Sequence, residues 1–380
     1  MYLGWFSGGY EDVELRQQVR LCHASDGTRI ALATLGSGAP LLRTAHWLSH
    51  LEYDVRSPVW SHWLQELSRR NTYIRYDQRG CGLSDRTPAG MSFEAWVSDL
   101  EAVVDALGLK RFDLFGMSQG GAIAIAYAAR HPDKVSRLVL CGAYARGSLR
   151  RDLTPDARRE AEVLLDLIRL GWGKNNPAFR QVFTSLFIPD GTPEQHQWFN
   201  DLERVSAFPQ NAADIIETSY WIDVANLAAQ LQVPTLIFHA SEDARVPFEE
   251  GRILASLIPN ARFVPLASRN HVLLSTEPAW SVFVRELHAF LDGGGSSRSH
   301  LLESSGLTAS EAAVLDLMAR GLANAAIART LGKREKTVRN QVSAIFSKLQ
   351  VRSRAEAIVR ARDSGMGAWD GRPTATPERD

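Results

Sequence analysis

Apolar residues fall into two patterns along the chain. As far as Leu291, short apolar runs alternate with longer segments whose apolar positions recur at helical spacing. The short runs predict strands over Arg29–Thr34, Leu41–Ala45, Thr72–Tyr76, Phe112–Phe115, Arg137–Cys141, Thr235–His239 and Phe263–Pro265. Several are apolar throughout, as strands buried on both faces are. Between them, helices are predicted over Pro58–Arg69, Phe93–Ala106, Gln119–Arg130, Phe248–Leu257 and Pro278–Phe290. Such alternation implies a mainly parallel sheet with helices on both faces, an α/β fold. Ser148–Leu231 breaks the alternation: it has many helix formers and no strand signal, and predicts a helical insertion after a central strand.

The stretch Leu291–Gly306, LDGGGSSRSHLLESSG, combines three consecutive glycines with five serines. Ordering such a stretch is entropically costly, so 292–306 is expected to be a flexible linker between a first domain over 1–291 and a second over 307–363. The second domain is helical in pattern throughout. Residues 364–380, rich in Gly, Pro and charge, are expected to be a disordered tail.

Composition adds little to this picture until it is divided. Over 380 residues the chain is 45% hydrophobic and 23% charged, an ordinary globular composition, and its net charge is zero. Yet His300–Arg362 holds eleven Lys and Arg against five Asp and Glu, so this module is basic and the rest of the chain acidic. A basic helical module points to a polyanionic partner. Only three cysteines occur, Cys22, Cys81 and Cys141, widely spaced. That number and spacing argue against a disulfide framework or a cysteine metal site. The N-terminus lacks a basic segment followed by an apolar run, and the longest apolar stretch, Gly121–Ala129, is too short for a bilayer. The expectation is a cytoplasmic protein without membrane association, metal or cofactor.

Two constellations carry chemistry. In the first, Gly116-Met-Ser118-Gln-Gly120 lies between an apolar strand and an Ala-rich helix. A strained strand-to-helix turn exposes a nucleophilic Ser there, and the helix N-terminus behind it favours developing negative charge. Partners are expected in the order acid, then His. Asp243 follows the apolar strand Thr235–His239, with Glu242 as its competitor, and His271 follows the final strand. In that arrangement the imidazole takes the Ser118 proton and Asp243 holds its tautomer.

With these residues in place, 20–291 resembles the α/β-hydrolase fold family. Arg75-Tyr-Asp-Gln-Arg-Gly-Cys-Gly-Leu-Ser-Asp85 is similar to a stretch many members carry after an early strand, where it shapes a turn. The resemblance implies that 148–231 is the family's helical cap. It also implies that Phe179, Phe183, Phe187, Trp198, Phe208, Tyr220 and Trp221 roof an apolar pocket. The oxyanion hole implied is the Gln119 N–H with that of Trp47 or Leu48. One departure stands out: the family's His-Gly pair is replaced by Ala45-His46-Trp47-Leu48, placing a bulky indole where Gly is usual.

In the second constellation, Thr308 and Glu311 form a capping-box pattern ahead of an apolar stripe, and Gly321 ends that helix. A short helix over Asn324–Leu331, a break at Gly332 and a helix over Lys336–Leu349 make a helix-turn-helix. Ordered matches at Leu307, Thr308, Glu311, Val314, Leu315, Gly321, Asn324, Ile327, Ala328, Leu331, Lys336-Thr-Val-Arg-Asn340, Ile345, Lys348, Leu349, Val351, Ser353 and Arg354 resemble the LuxR-type module. Departures are Gln341 for a usual His, Ala325-Ala326 for Lys-Glu and Arg334 for Ser. The resemblance implies that Arg339, Asn340 and Ser343 face base edges, while Lys336, Thr337 and Lys348 touch phosphates of double-stranded DNA. It also implies homodimerisation through a last helix around Ala355–Arg362.

Together the constellations imply a DNA-binding transcriptional regulator whose hydrolase-like domain binds a small ester- or lactone-like ligand. The alternative is a serine esterase or lactonase with an accessory DNA-binding domain.

Overall fold

A computed structural model describes residues 16–151, 154–292, 305–349, 351, 353–363 and 366. Most of the expected linker and tail, 293–304 and 367–380 among them, lies outside the described residues. The chain divides into two compact units, residues 1–284 and 285–380.

The first unit is built on a mixed eight-stranded sheet in the order β1-β2-β4-β3-β5-β6-β7-β8. Its strands are β1 Gln18–His23, β2 Arg29–Leu35, β3 Ala39–Arg43, β4 Asn71–Tyr76, β5 Phe112–Met117, β6 Val135–Cys141, β7 Thr235–Ala240 and β8 Ala261–Leu266. β1–β2 and β2–β4 pair antiparallel, and every pairing from β4 through β3 to β8 is parallel. β5 and β7 are buried along their whole length, as strands covered on both faces must be. β1 was not anticipated: its QVRLCH run is exposed at all but one position, so it carries no apolar signal of its own.

Helices α1 Ser61–Ser68, α2 Phe93–Ala106, α3 Gln119–Arg130, α9 Phe248–Leu257 and α10 Pro278–Leu291 alternate with the strands. The α2 start follows from its cap, where the Ser92 hydroxyl accepts from the Ala95 N–H. The segment after β6 is helical as expected, with α4 Pro155–Gly171, α5 Ala178–Phe187, α6 Pro193–Ser206, α7 Pro209–Tyr220 and the short α8 Ala225–Ala228. α6 begins with Pro193 and a reciprocal Thr192–Gln195 capping box, so the chain marks that boundary twice.

The second unit contains α11 Ala309–Ala319, α12 Asn324–Thr330, α13 Glu335–Leu349 and α14 Arg354–Asp363. The Thr308–Glu311 capping box forms at the start of α11. Val314, Leu315, Met318, Ile327, Val338, Ile345 and Leu349 are buried together in one apolar core. Gly332 takes φ +62° at the α12–α13 turn, a conformation that costs a non-glycine residue energy. No helix among the described residues is long and apolar enough to cross a membrane.

Candidate active site and DNA-contacting helix

Ser118 sits between β5 and α3 with φ +52° and ψ −128°, a strained conformation for a side chain bearing Cβ. The turn tolerates it because its neighbours lock it: the Ser118 N–H donates to the Cys141 carbonyl and its own carbonyl accepts from Gly121. Gly120 is needed for contact, since a Cβ there would lie 2.5 Å from the Ala45 carbonyl oxygen. The Gln119 amide opens α3, and its buried side chain donates to Gln78 Oε1 at 2.7 Å.

β7 and β8 deliver the other two groups. His271 Nδ1 donates to Asp243 Oδ2 at 2.8 Å, and both side chains are about 1% exposed. Asp243 Oδ1 accepts from the Arg245 and Val246 amides, each at 2.8 Å. Burial pushes the Asp243 carboxyl up, but the His271 imidazole, the Val246 N–H and His239 together hold it below the ordinary carboxylate range. Glu242, the competing candidate acid, is exposed, whereas Asp243 is the one bonded to His271. His271 Nε2, the nitrogen that would receive the Ser118 proton, is buried and bonded to no protein group. It shares with Ser118 a cavity of about 20 Å³ that His46, Trp60, Met117 and Phe199 also line. Gly142 packs beneath the imidazole: it has φ +56°, and a Cβ there would lie 2.8 Å from His271 Cε1.

The candidate oxyanion donors Trp47 and Leu48 are both buried, and Leu48 takes φ +54°. The Trp47 indole, buried and stacked on Phe187 at 5.0 Å and 21°, is a wall of the Ser118 cavity. It also packs on Phe183 and Trp172.

The expected aromatic roof needs correction. Phe187 and Tyr220 line a second cavity, on the other side of Ser118, and Phe183 packs on Trp47. Phe208 and Trp221 are half exposed under Arg86 and Arg150, Trp198 stacks on Tyr53, and Phe179 lies under Lys174. Polar groups also stand close to the site. His239, on β7, lies 3.7 Å from Asp243 and donates to the Val246 carbonyl. Arg151, Arg245 and Ser148 line the second cavity beside Ser118, of about 30 Å³. Sequence reasoning passed over all of them; only His239 carried a signal, being four residues from Asp243.

The Asp77–Asp85 stretch is structural. Asp77 Oδ2 accepts from the Leu51 and Leu83 amides. Arg79 forks onto Asp99 at 2.6 and 2.8 Å and reaches Asp26, and Asp85 pairs with Arg29 at 2.7 Å. Among the described residues no cluster of His, Cys, Asp or Glu is arranged to hold a metal.

On α13, Val338, Val342, Ile345 and Leu349 face the core, which turns Lys336, Thr337, Arg339, Asn340 and Ser343 outward, all exposed. Arg339 meets Glu335 one turn away at 3.2 Å, a surface pair easily exchanged for a better anion. Ser343 donates to the Arg339 carbonyl at 3.2 Å. Lys348 has a different situation from the one expected: its ammonium pairs at 2.7 Å with Glu311, the capping-box residue of α11. Gln341, in place of the usual His, donates to Ser310 and accepts from Lys333. The matched Arg354 and Asn324 are explained by contact, since Arg354 donates to Asn324 Oδ1 and to the Leu322 carbonyl.

Both parts of the chain resemble known proteins. Residues 53–192 match the alpha/beta hydrolase fold family, and residues 305–361 match the luxR family of bacterial regulatory proteins. AB hydrolase superfamily protein YisY of Bacillus subtilis is 30% identical over 241 residues, 62% of this chain and 86% of that one. The 2-hydroxy-6-oxo-2,4-heptadienoate hydrolase of Pseudomonas putida is 30% identical over 53% of this chain and 72% of its own. The solved esterase of Exiguobacterium antarcticum superposes with TM-score 0.61 and 26% identity, over 72% of this chain and 99% of that one. The chain therefore belongs to the α/β-hydrolase superfamily and carries, in residues 305–361, a LuxR-type helix-turn-helix.

Proposed function

We propose that the protein is a cytoplasmic, homodimeric transcriptional regulator whose α/β-hydrolase domain, residues 1–291, senses a small ester- or lactone-like molecule. The helix-turn-helix over 307–363 binds double-stranded DNA, and 292–306 joins the two domains as a linker. The observation that carries the reading is one chain holding both a Ser118–His271–Asp243 constellation and an exposed Lys336–Ser343 face on a LuxR-type helix. In this reading Arg339, Asn340 and Ser343 read bases, and Lys336 and Thr337 hold phosphates.

The 2.8 Å bond from His271 to Asp243 favours a second element of the reading, that the sensor turns its ligand over. His271 takes the Ser118 proton as Oγ attacks the ester carbonyl, and the Gln119 N–H with that of Trp47 or Leu48 receives the developing oxyanion. The leaving alcohol departs with that proton, and water then releases the acyl group from Ser118 by the same route in reverse. The test is a fluorophosphonate probe read by intact mass. One adduct per chain is expected for the wild type and none for Ser118→Ala or His271→Ala. An unlabelled wild type overturns the hydrolytic element and leaves a pure receptor. In parallel, selection of DNA from a random pool at physiological salt should return a two-fold symmetric site; a pool without enrichment overturns the regulator itself.

A further inference from the structure

The Ser118 site has two unlike sides. Ser118, Trp47 and Phe187 line both. On one side lie Trp60, Met117, Phe199 and Val272, an apolar chamber of about 20 Å³ that also holds His271. On the other lie Tyr144, Ser148, Arg151, Ser219 and Arg245, around a chamber of about 30 Å³. Each chamber has room for roughly one water, so any larger ligand must displace lining side chains as it enters.

The two arginines differ. Arg151 already has an anion beside it: its Nε lies 3.0 Å from Glu250 and donates to the Arg146 carbonyl at 2.9 Å, and its guanidinium lies over the Tyr144 ring. Arg245 is not. Its backbone N–H serves Asp243, while its guanidinium stands 6.0 Å from the Phe187 ring centre. Among the described residues, no carboxylate or carbonyl accepts a hydrogen bond from that guanidinium. Ser148 Oγ, in the same chamber, is buried and equally without a partner. A guanidinium partly withdrawn from water with no anion beside it is an unfavourable arrangement that a planar, bidentate carboxylate relieves.

We propose that the Ser118 site takes an amphiphilic ligand with a carboxylate at one end, held by Arg245 and Ser148. Its apolar end fills the Trp60–Phe199 side and its carbonyl lies between the two, at Ser118. The placing of that carbonyl rests on the hydrolytic reading above; the carboxylate preference stands on Arg245 and Ser148. It makes Arg245 a specificity-determining residue, one that the Asp243 loop presents together with the acid.

Binding of a matched pair of probes, monomethyl adipate and dimethyl adipate, to the full-length Ser118→Ala protein by titration calorimetry tests this. The monoanion is expected to bind tighter than the neutral diester by about 10- to 100-fold, the range of a charge-assisted pair. Arg245→Gln in the same background should abolish the preference, while Arg245→Lys, which keeps the charge, should retain part of it. Equal affinities, a preference for the diester, a preference surviving Arg245→Gln, or no heat from either probe overturns the proposal. Failure of the wild type to take the fluorophosphonate removes the nucleophile but leaves the charge preference intact. Equal affinities remove the preference but leave labelling intact, so the two failures are separable.

Discussion

In the first unit, the candidate groups are buried or half-buried and held by bonds that cross the sequence. His271 reaches back 28 residues to Asp243, Gln119 reaches back 41 to Gln78, and the Ser118 turn is held by β6. In the second unit, the candidate groups are exposed side chains on one helix, and the buried residues beneath them do nothing but pack. The first arrangement concentrates function in few atoms, because a buried polar group that loses its partner has no water to replace it. The second spreads function over many contacts, each exchangeable with solvent. Loss of one residue should therefore be catastrophic in the first unit and graded in the second.

The largest effect expected is at Asp243. Asp243→Asn keeps the shape of the loop but presents an amide to His271 Nδ1, which favours the wrong tautomer, and the fluorophosphonate labelling rate should fall by about 10⁴-fold. The folded-state carboxyl lies below its ordinary range, so ionised Asp243 stabilises the fold above that range and this contribution is lost only as pH falls through the lowered value. A labelling rate that Asp243→Asn leaves within tenfold of wild type would break the comparison at its stronger end.

A smaller, graded effect is expected on α13. Asn340→Ala should weaken binding to a selected site by about 1–3 kcal/mol while sparing non-specific binding. Lys336→Ala should weaken both alike and reduce the slope of log affinity against log salt by about 1. Loss of all binding in either variant, measured by fluorescence anisotropy across a salt series, would mean that this surface is as concentrated as the buried site.

The same contrast decides what was legible beforehand. Ser118 could be found because strand, glycine, serine and helix are consecutive, and the helix-turn-helix because its core repeats at helical spacing within about sixty residues. Asp243 and His271 were legible only through the order of strands, each lying just past the end of one. Arg245 and Ser148 were not: their bearing on the site comes from the packing of separate segments around Ser118, which leaves no trace in local pattern. β1 was missed because an exposed strand beside β2 needs no apolar face, and its pairing energy comes from β2. The cap aromatics misled because helical spacing places an aromatic on a face without saying whether that face meets the pocket, as Phe187 does, or solvent, as Trp221 does.

Lys348 sharpens the comparison at its smallest scale. It lies on the same helix as Lys336, and the LuxR resemblance implies the same phosphate role, yet its side chain is 35% exposed and its ammonium is paired with Glu311, whose side chain is 10% exposed. Glu311 in turn accepts from the Thr308 N–H and hydroxyl, so the ion pair ties the end of α13 to the start of α11. The Lys348 ammonium, the Thr308 amide and the hydroxyl all hold the Glu311 carboxyl below the ordinary glutamate range. Because the pair is partly open to water, its contribution is reduced by screening, and Lys348→Ala should lower stability by less than about 1 kcal/mol. It should also leave the salt slope of DNA binding unchanged, where Lys336→Ala lowers it. The slope is the deciding measurement, since a lost phosphate contact must release one counterion fewer whereas a weakened helix junction need not. If Lys348→Ala instead lowers the slope as Lys336→Ala does, the Glu311 pair opens on DNA and the lysine serves both partners in turn.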